Sequence, residues 1–337
     1  MNKTKTIATT KDVARLAGVS PATVSYVINQ HLEGSPKISP ATQSRVLEAM
    51  AELNYVPNLA GRHLRRKLTE RVCLYLMDIG RPYDNKLVQD IQKVADEHNN
   101  SLIIITGDNP ERQAQVLKQL HSRLADGAII KVEKIEQAEV QNLVKGQIPL
   151  VIFSNDLTPD GFDVVQTNEA EASADGVRYL IEKGHRRIGA IVHYNNNTRP
   201  DTRLNSYRQT LAEHGLPVDE SIILTGATSS QDAYISAKKL LQHPDRPTAI
   251  FAAADRAAIS AIWAIRDAGL RVPEDVAVIG VGNVPESQYT SPPLTTVGPV
   301  SMDFTEVANL LFSRMQDPSL AGRKHLVRWE VIPRRSA

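Results

Sequence analysis

Cysteine is nearly missing from this 337-residue chain, with Cys73 the only one. A lone thiol closes no internal disulfide and builds no cysteine-based zinc site, which fits a reducing compartment. No apolar run approaches the ~18 residues that a membrane-spanning helix needs. The first ten residues, MNKTKTIATT, hold no apolar stretch of the kind found in a secretory leader. Catalytic signatures are missing too: the chain has no GxSxG, no P-loop, no HExxH and no GxGxxG after a strand. Gly280-Val281-Gly282 is an isolated GxG, and His185 in KGHRRI reads as a turn residue beyond a helix end. The expectation is a cytoplasmic protein without catalytic residues, metal or cofactor.

What is present is globular: 42% apolar and 23% charged residues, in a length that suits two or three folding units. The net charge of +1 hides a division. Residues 1–68 hold ten basic and four acidic side chains, +6, which leaves −5 for the other 269 residues. A basic head on an acidic body points to a polyanionic partner for the head. On charge alone, a solvated basic tail is the competing reading.

The head reads as three short helices. Lys11–Ala17 puts Val13, Leu16 and Ala17 on one face, with Thr10 as N-cap and Gly18 as the left-handed stop. Ser20 then caps a second helix, 21–29, with Pro21 at its first position. That helix buries Val24, Val27 and Ile28 and exposes Ala22, Thr23, Ser25 and Tyr26. A third, from Ser39 to about Leu53, buries Val46, Leu47, Met50 and Leu53. Two short helices joined by a glycine-containing turn form a helix-turn-helix, whose second helix enters the major groove. Its short hydroxyl side chains suit phosphate oxygens, and larger groups reach base edges. A protein-interaction bundle is the alternative.

Residues 58–67, NLAGRHLRRK, are basic and long enough for two helical turns, marginal in water and weakened by Gly61. This segment is expected to fold only against a partner. Leu64, between the cations Arg62 and Arg65, has the chemistry of a minor-groove wedge. A solvated linker is the other reading.

The segments KDVARLAGVSPATVSYVIN, ISPATQSRVLEAMAELNYVPN and GRHLRR together resemble the DNA-binding head of the lactose/galactose repressor (LacI/GalR) family. Further similarity runs through DGAIIKV, EKGHRRIGAI, PTAIFAAADRAA, VPEDVAVIGVGN and SPPLTTVGP, in order, over nearly the whole chain. The resemblance implies a dimeric transcription regulator whose paired heads bind a near-palindromic double-stranded DNA operator under control of a small effector. It puts Pro21, Ala22 and Tyr26 at base-reading positions. Ser20, Thr23, Ser25 and Asn29 take phosphate or helix-start positions, and Leu64 becomes the hinge leucine. Thr10 departs from the family's usual isoleucine, which should weaken a core contact. Gly61 and His63 depart from the commoner Ala and Ser.

The body alternates short apolar strands with helices, which implies parallel sheets in two α/β lobes. Strands are expected at 72–77, 102–106, 128–132, 150–153, 188–192, 222–224, 249–252 and 276–280. Helices are expected at 87–99, 112–124, 204–214 and 256–268. The resemblance adds a periplasmic-binding-protein-like body. The expected fold class is therefore an all-α helix-turn-helix head with a two-lobed α/β body. The domains are 1–57 for the head, 58–68 for the hinge and 69–337 for effector binding and dimerisation. Lobe 1 takes about 69–165 and 297–322, and lobe 2 about 166–296 and 323–337. The chain ends at IPRRSA without leucine heptads, so a homodimer is the expected assembly.

Ligands in such sheets bind at the carboxyl ends of the strands, here between the lobes. By the resemblance, Arg203 in RLNSY grips the effector and Tyr83 packs on it. The family's Gly-aromatic-Asp is Gly280-Val281-Gly282 here, its Asn-Asp pair is Ala254-Asp255, and Ala227 lies near an aromatic position. Lost hydroxyl clamps, together with Lys131, Arg199 and Arg203, favour an anionic effector such as a sugar phosphate or sugar acid. Asp255 completes the expected effector site. A body without any small ligand is the alternative. For the whole chain, an enzyme acting on carbohydrate and a non-specific nucleoid protein are the competing classes.

Overall fold

Thr9, one residue before the expected cap, begins the first helix. Its hydroxyl accepts from the Asp12 N–H while the Asp12 carboxylate accepts from the Thr9 N–H at 3.0 Å, a reciprocal capping box. The structure, a computed structural model, describes residues 8–28, 38–56, 68–107, 109–192 and 202–337. It divides into two units, residues 1–69 and 70–337. The expected hinge at 58–67 lies outside the described residues.

In the first unit, α1 (Thr10–Ala17) stops at Gly18, whose φ of +64° is the left-handed conformation that ends a helix at low steric cost. Ser20 caps α2 (Pro21–Ile28), its Oγ accepting from the Thr23 N–H at 3.1 Å. Ser39 caps α3 (Pro40–Glu52) in the same way through Thr42. The core is Val13, Ala14 and Ala17 with Val24, Val27, Val46 and Ala49. Leu16 and Leu47, expected inside, are 45% and 57% exposed. Ala14 and Ala49 take the inward positions instead, and residues without side-chain bulk let the helices pack closely. Thr10, expected to weaken a core contact, is half-buried with its hydroxyl 2.8 Å from the Tyr55 hydroxyl.

The second unit holds two six-stranded sheets. The first contains β1 (Arg71–Leu76), β2 (Ser101–Thr106), β3 (Gly127–Lys131), β4 (Leu150–Phe153), β5 (Asp163–Thr167) and β11 (Lys324–Val327). Their order is β11-β5-β4-β3-β1-β2, and every pairing is parallel. The second contains β6 (Ile188–Ile191), β7 (Ile223–Leu224), β8 (Ala249–Ala252), β9 (Ala277–Val281), β10 (Thr295–Pro299) and β12 (Trp329–Ile332). It runs β12-β10-β9-β8-β6-β7, parallel except for β12 against β10.

Alternation along β1 shows how the first sheet is covered. Val72, Leu74 and Leu76 face α4 (Pro82–Glu97) and α11 (Thr305–Gln316). Cys73 and Tyr75 face α5 (Pro110–His121) and α6 (Gln137–Lys145). The second sheet is sandwiched likewise, by α7 (Glu169–Glu182) and α8 (Thr202–Glu213) on one side. On the other lie α9 (Ser230–Leu241) and α10 (Asp255–Asp267). Apolar cover on both faces is what near-continuous apolar strands require.

The chain passes between the sheets three times, at Asn168, at 300–304 and at Arg328. Two of these differ from the expected positions near 296 and 322. β10 stays in the second sheet through Pro299, and β11 is hydrogen-bonded into the first beside β5. The crossings are braced. Asn168 Nδ2 donates to the Trp329 carbonyl at 3.0 Å and its Oδ1 accepts from the Trp329 N–H at 2.7 Å. Asp90 accepts from the Phe304 N–H at 2.9 Å.

Candidate nucleic-acid interface and ligand cleft

Helix α2 presents Pro21, Ala22 and Tyr26 to solvent, with Thr23 and Ser25 half-buried. Ala22 and Tyr26 are one turn apart and so share a face. Tyr26 is 43% exposed, the largest group on this surface. Ser20 is engaged locally, 2.9 Å from the Thr23 hydroxyl as well as on the Thr23 N–H, so its role here is to start the helix. Proline and alanine supply no side-chain donor, which leaves Tyr26 as the donor among the three expected base-reading residues. Asn29, Arg62 and Leu64 lie outside the described residues.

In the body, several expected cleft residues converge around one that sequence reasoning missed. Tyr83 is in the first turn of α4, following Pro82 at the helix start. Its ring meets Phe304 edge-on with centroids 4.6 Å apart, and Trp329 of β12 at 6.1 Å. Lys131, at the carboxyl end of β3, places Nζ 5.1 Å from the Tyr83 ring centre and 2.7 Å from Asp84. On the far side, the Arg203 guanidinium lies 5.7 Å from the Trp329 ring centre. The sequence Lys131–Tyr83–Trp329–Arg203 thus runs from one lobe to the other, cation and ring at each end. Arg199 lies outside the described residues.

Both described cations already have carboxylate partners. Arg203 Nε is 2.5 Å from Glu169, and its Nη1 donates to the Ala253 carbonyl. Burial, reinforced by the charges of Asp84 and Glu169, pushes the Tyr83 hydroxyl pKa up. The Tyr83 hydroxyl and the Trp329 indole N–H are buried and find no partner among the described residues. Unpaired buried polar groups are costly, and at a strand-end cleft a ligand can relieve them.

Asp255 sits differently from the expectation of a ligand clamp. It is fully buried at the start of α10, with one oxygen 2.5 Å from the Thr296 hydroxyl and the other 2.8 Å from the Val284 N–H. Burial pushes its pKa up to about 6, against those two hydrogen bonds and the positive charges of Arg203 and Arg334. Gly280 of β9 answers to it: a Cβ there would stand 2.3 Å from an Asp255 oxygen. Glycine here makes room for a buried carboxylate.

Residues 9–58 match the profile described as bacterial regulatory proteins, lacI family, and residues 177–337 match the periplasmic binding protein-like domain. The repressor PurR of Photobacterium profundum is 30% identical over 335 residues, covering 98% of both chains. The chain belongs to the LacI family. Among solved structures, the regulator CelR in complex with cellobiose covers 98% of this chain at 27% identity, with a TM-score of 0.65. The Lac repressor dimer bound to operator and anti-inducer covers 98% at 24% identity, with a TM-score of 0.78. This LacI-family chain is therefore a DNA-binding transcription regulator that responds to a small-molecule effector, with a helix-turn-helix head and a two-lobed body, and it is not an enzyme.

Four residues that contact the expected effector residues went unread in the sequence: Asp84, Glu169, Thr296 and Trp329. Trp329 carried a signal, as one of only two tryptophans in the chain. Glu169 carried none, because a glutamate opening a helix is ordinary dipole chemistry.

Proposed function

We propose that this protein represses carbohydrate-utilisation genes as a cytoplasmic, nucleoid-associated homodimer on a near-palindromic operator, under control of a carbohydrate-type effector in the interlobe cleft. The observation that carries the reading is the Tyr83–Trp329 aromatic pair, flanked by Lys131 and Arg203 and holding two unpartnered polar atoms. Aromatic rings with polar groups at their margin suit a sugar, apolar on its C–H face and hydroxylated at its edge. The cellobiose complex of the regulator CelR supports the effector class. Effector binding changes the angle between the lobes about the three crossings. In the dimer this alters the spacing of the 58–67 segments, which order on DNA in one state, with Arg62 and Leu64 at the minor groove. Operator and effector then influence each other reciprocally.

The head is tested by Tyr26→Ala. Specific operator affinity should fall about 10–100-fold while non-specific binding changes little, read by fluorescence anisotropy at fixed salt. Wild-type affinity equal for operator and random duplex would refute sequence-specific binding. Titration of the operator complex with cellobiose, glucose and sucrose tests the effector class, since a shift in operator affinity with none of them counts against a carbohydrate.

Exposed apolar residues on the body support the homodimer. Packed helices α9 and α10 leave Ile235 43% and Trp263 54% exposed. Tryptophan at the centre of an interface is a common energetic anchor. Trp263→Glu is expected to weaken self-association at least ~30-fold in sedimentation equilibrium, and operator binding with it. An unchanged association constant would place the dimer contact elsewhere.

A further inference from the structure

We propose that Glu169 is the specificity-determining residue of the cleft: it acts as a built-in counter-ion for Arg203, so the site takes an uncharged, hydroxyl- or amide-bearing effector and rejects carboxylate and phosphate. The proposal rests on the cleft being the effector site. Arginine recognises an anion through two parallel N–H groups along one edge of its guanidinium. On Arg203, Nε is committed to Glu169 at 2.5 Å, and Nη1 to the Ala253 carbonyl. An incoming anion on this guanidinium is brought within a few ångströms of the Glu169 carboxylate.

Screening of that repulsion is incomplete, because the Arg203 and Glu169 side chains are only 26% and 27% exposed. Glu169 is also well placed for a negative group, as the first residue of α7, where the helix dipole favours an anion. The second described cation is balanced as well, Lys131 by Asp84, whose side chain is 5% exposed. The expectation of an anionic effector counted the cations alone. Paired with Glu169 and Asp84, the two described cations leave no net positive charge for an anion. A neutral polyol instead donates its hydroxyls to Glu169 and lays its C–H face on the half-buried Tyr83 ring.

The test uses purified full-length protein in phosphate-free buffer, with inorganic phosphate as the probe and calorimetric titration as the readout. Glu169→Gln keeps a hydrogen-bond acceptor for Arg203 Nε while removing the charge, and Glu169→Ala serves as a second variant should the first melt too low. Phosphate should bind the variant about 10–100-fold more tightly than the wild type. Adding Arg203→Met should abolish that gain. Equal phosphate binding by wild type and variant, or a gain that survives Arg203→Met, overturns the proposal. No phosphate binding by any of them overturns it too. Failure of the effector reading looks different: phosphate gains a site in Glu169→Gln that Arg203→Met removes, but operator affinity does not respond to its occupation.

Discussion

Asp163→Ala is expected to destabilise the body by about 3–5 kcal/mol, read as a lowered urea midpoint of unfolding. Asp163, first residue of β5, is fully buried and receives two arginines. Arg314 of α11, 1% exposed, donates through Nε at 3.0 Å and Nη2 at 2.7 Å. Arg323 donates through its backbone N–H, Nε and Nη2 at 2.9, 3.0 and 2.7 Å. Burial by itself pushes the Asp163 pKa up, but the hydrogen bonds from Arg323 and Arg314 outweigh it and hold it below 3.8. Removing the carboxylate strands the buried Arg314 charge and unties both arginines from β5, while Arg323 still donates to the Leu310 carbonyl and the Ser313 hydroxyl of α11. Because the folded-state pKa is depressed, this stabilisation is complete above pH ~4 and is lost as pH falls through the folded value. The double variant Asp163→Ala/Arg314→Met should recover part of the loss, since it removes the unpaired charge as well. Asp163→Ala with an unchanged midpoint would show that the network contributes no net stability.

Asp255 works in the opposite sense. Its folded-state pKa of about 6 lies above the ordinary 3.8, so the folded protein holds this proton more tightly than the unfolded chain does. Below pH ~4 both states are protonated and the group costs nothing. Between pH ~4 and ~6 the unfolded chain ionises first and stability falls. Above pH ~6 the full cost persists, about 3 kcal/mol. Asp255→Asn keeps the volume and cannot titrate, but it loses one of the two acceptors used by Thr296 and Val284. A constant offset is therefore expected, and the informative quantity is the difference in unfolding free energy between variant and wild type. That difference should move in the variant's favour by up to about 3 kcal/mol from pH 4 to pH 7. A flat difference would show that Asp255 does not titrate in that range.

Much of the fold was legible because it rests on local chemistry. Ser20-Pro21 and Ser39-Pro40 mark helix starts through capping and a preset φ, and both helices begin there. Eight strands were visible as short apolar runs. The four that were missed, β5, β10, β11 and β12, have weaker signals. Lys324–Val327 alternates exposed and half-buried residues, and β12 runs against its neighbour. Their places in the sheets depend on partners far along the chain, such as β5 for β11 and β10 for β12. The two crossings expected near 296 and 322 shifted with them.

The cleft was half legible. Tyr83, Lys131 and Arg203 stand out by residue type and position, and the structure brings all three to the Trp329 ring or its Tyr83 neighbour. What they do together was hidden, because each cation acquires a carboxylate from another element: Asp84 from α4 and Glu169 from α7. Asp255 shows the same limit. Its sequence neighbourhood matches a ligand-binding motif, yet Thr296 and the Val284 N–H, 41 and 29 residues away, take up its oxygens.

By itself the order of residues determined the helix-turn-helix, the basic head and the alternating α/β body, which follow from capping, period and composition within short windows, and the family, which its motif segments carry by resemblance. Tertiary structure alone decided which charges are spent. Whether an arginine is free to grip an anion or already neutralised depends on which distant carboxylate folding places within 3 Å of it. Coulomb energy in a partly desolvated cleft varies with that distance, and sequence separation carries no information about it.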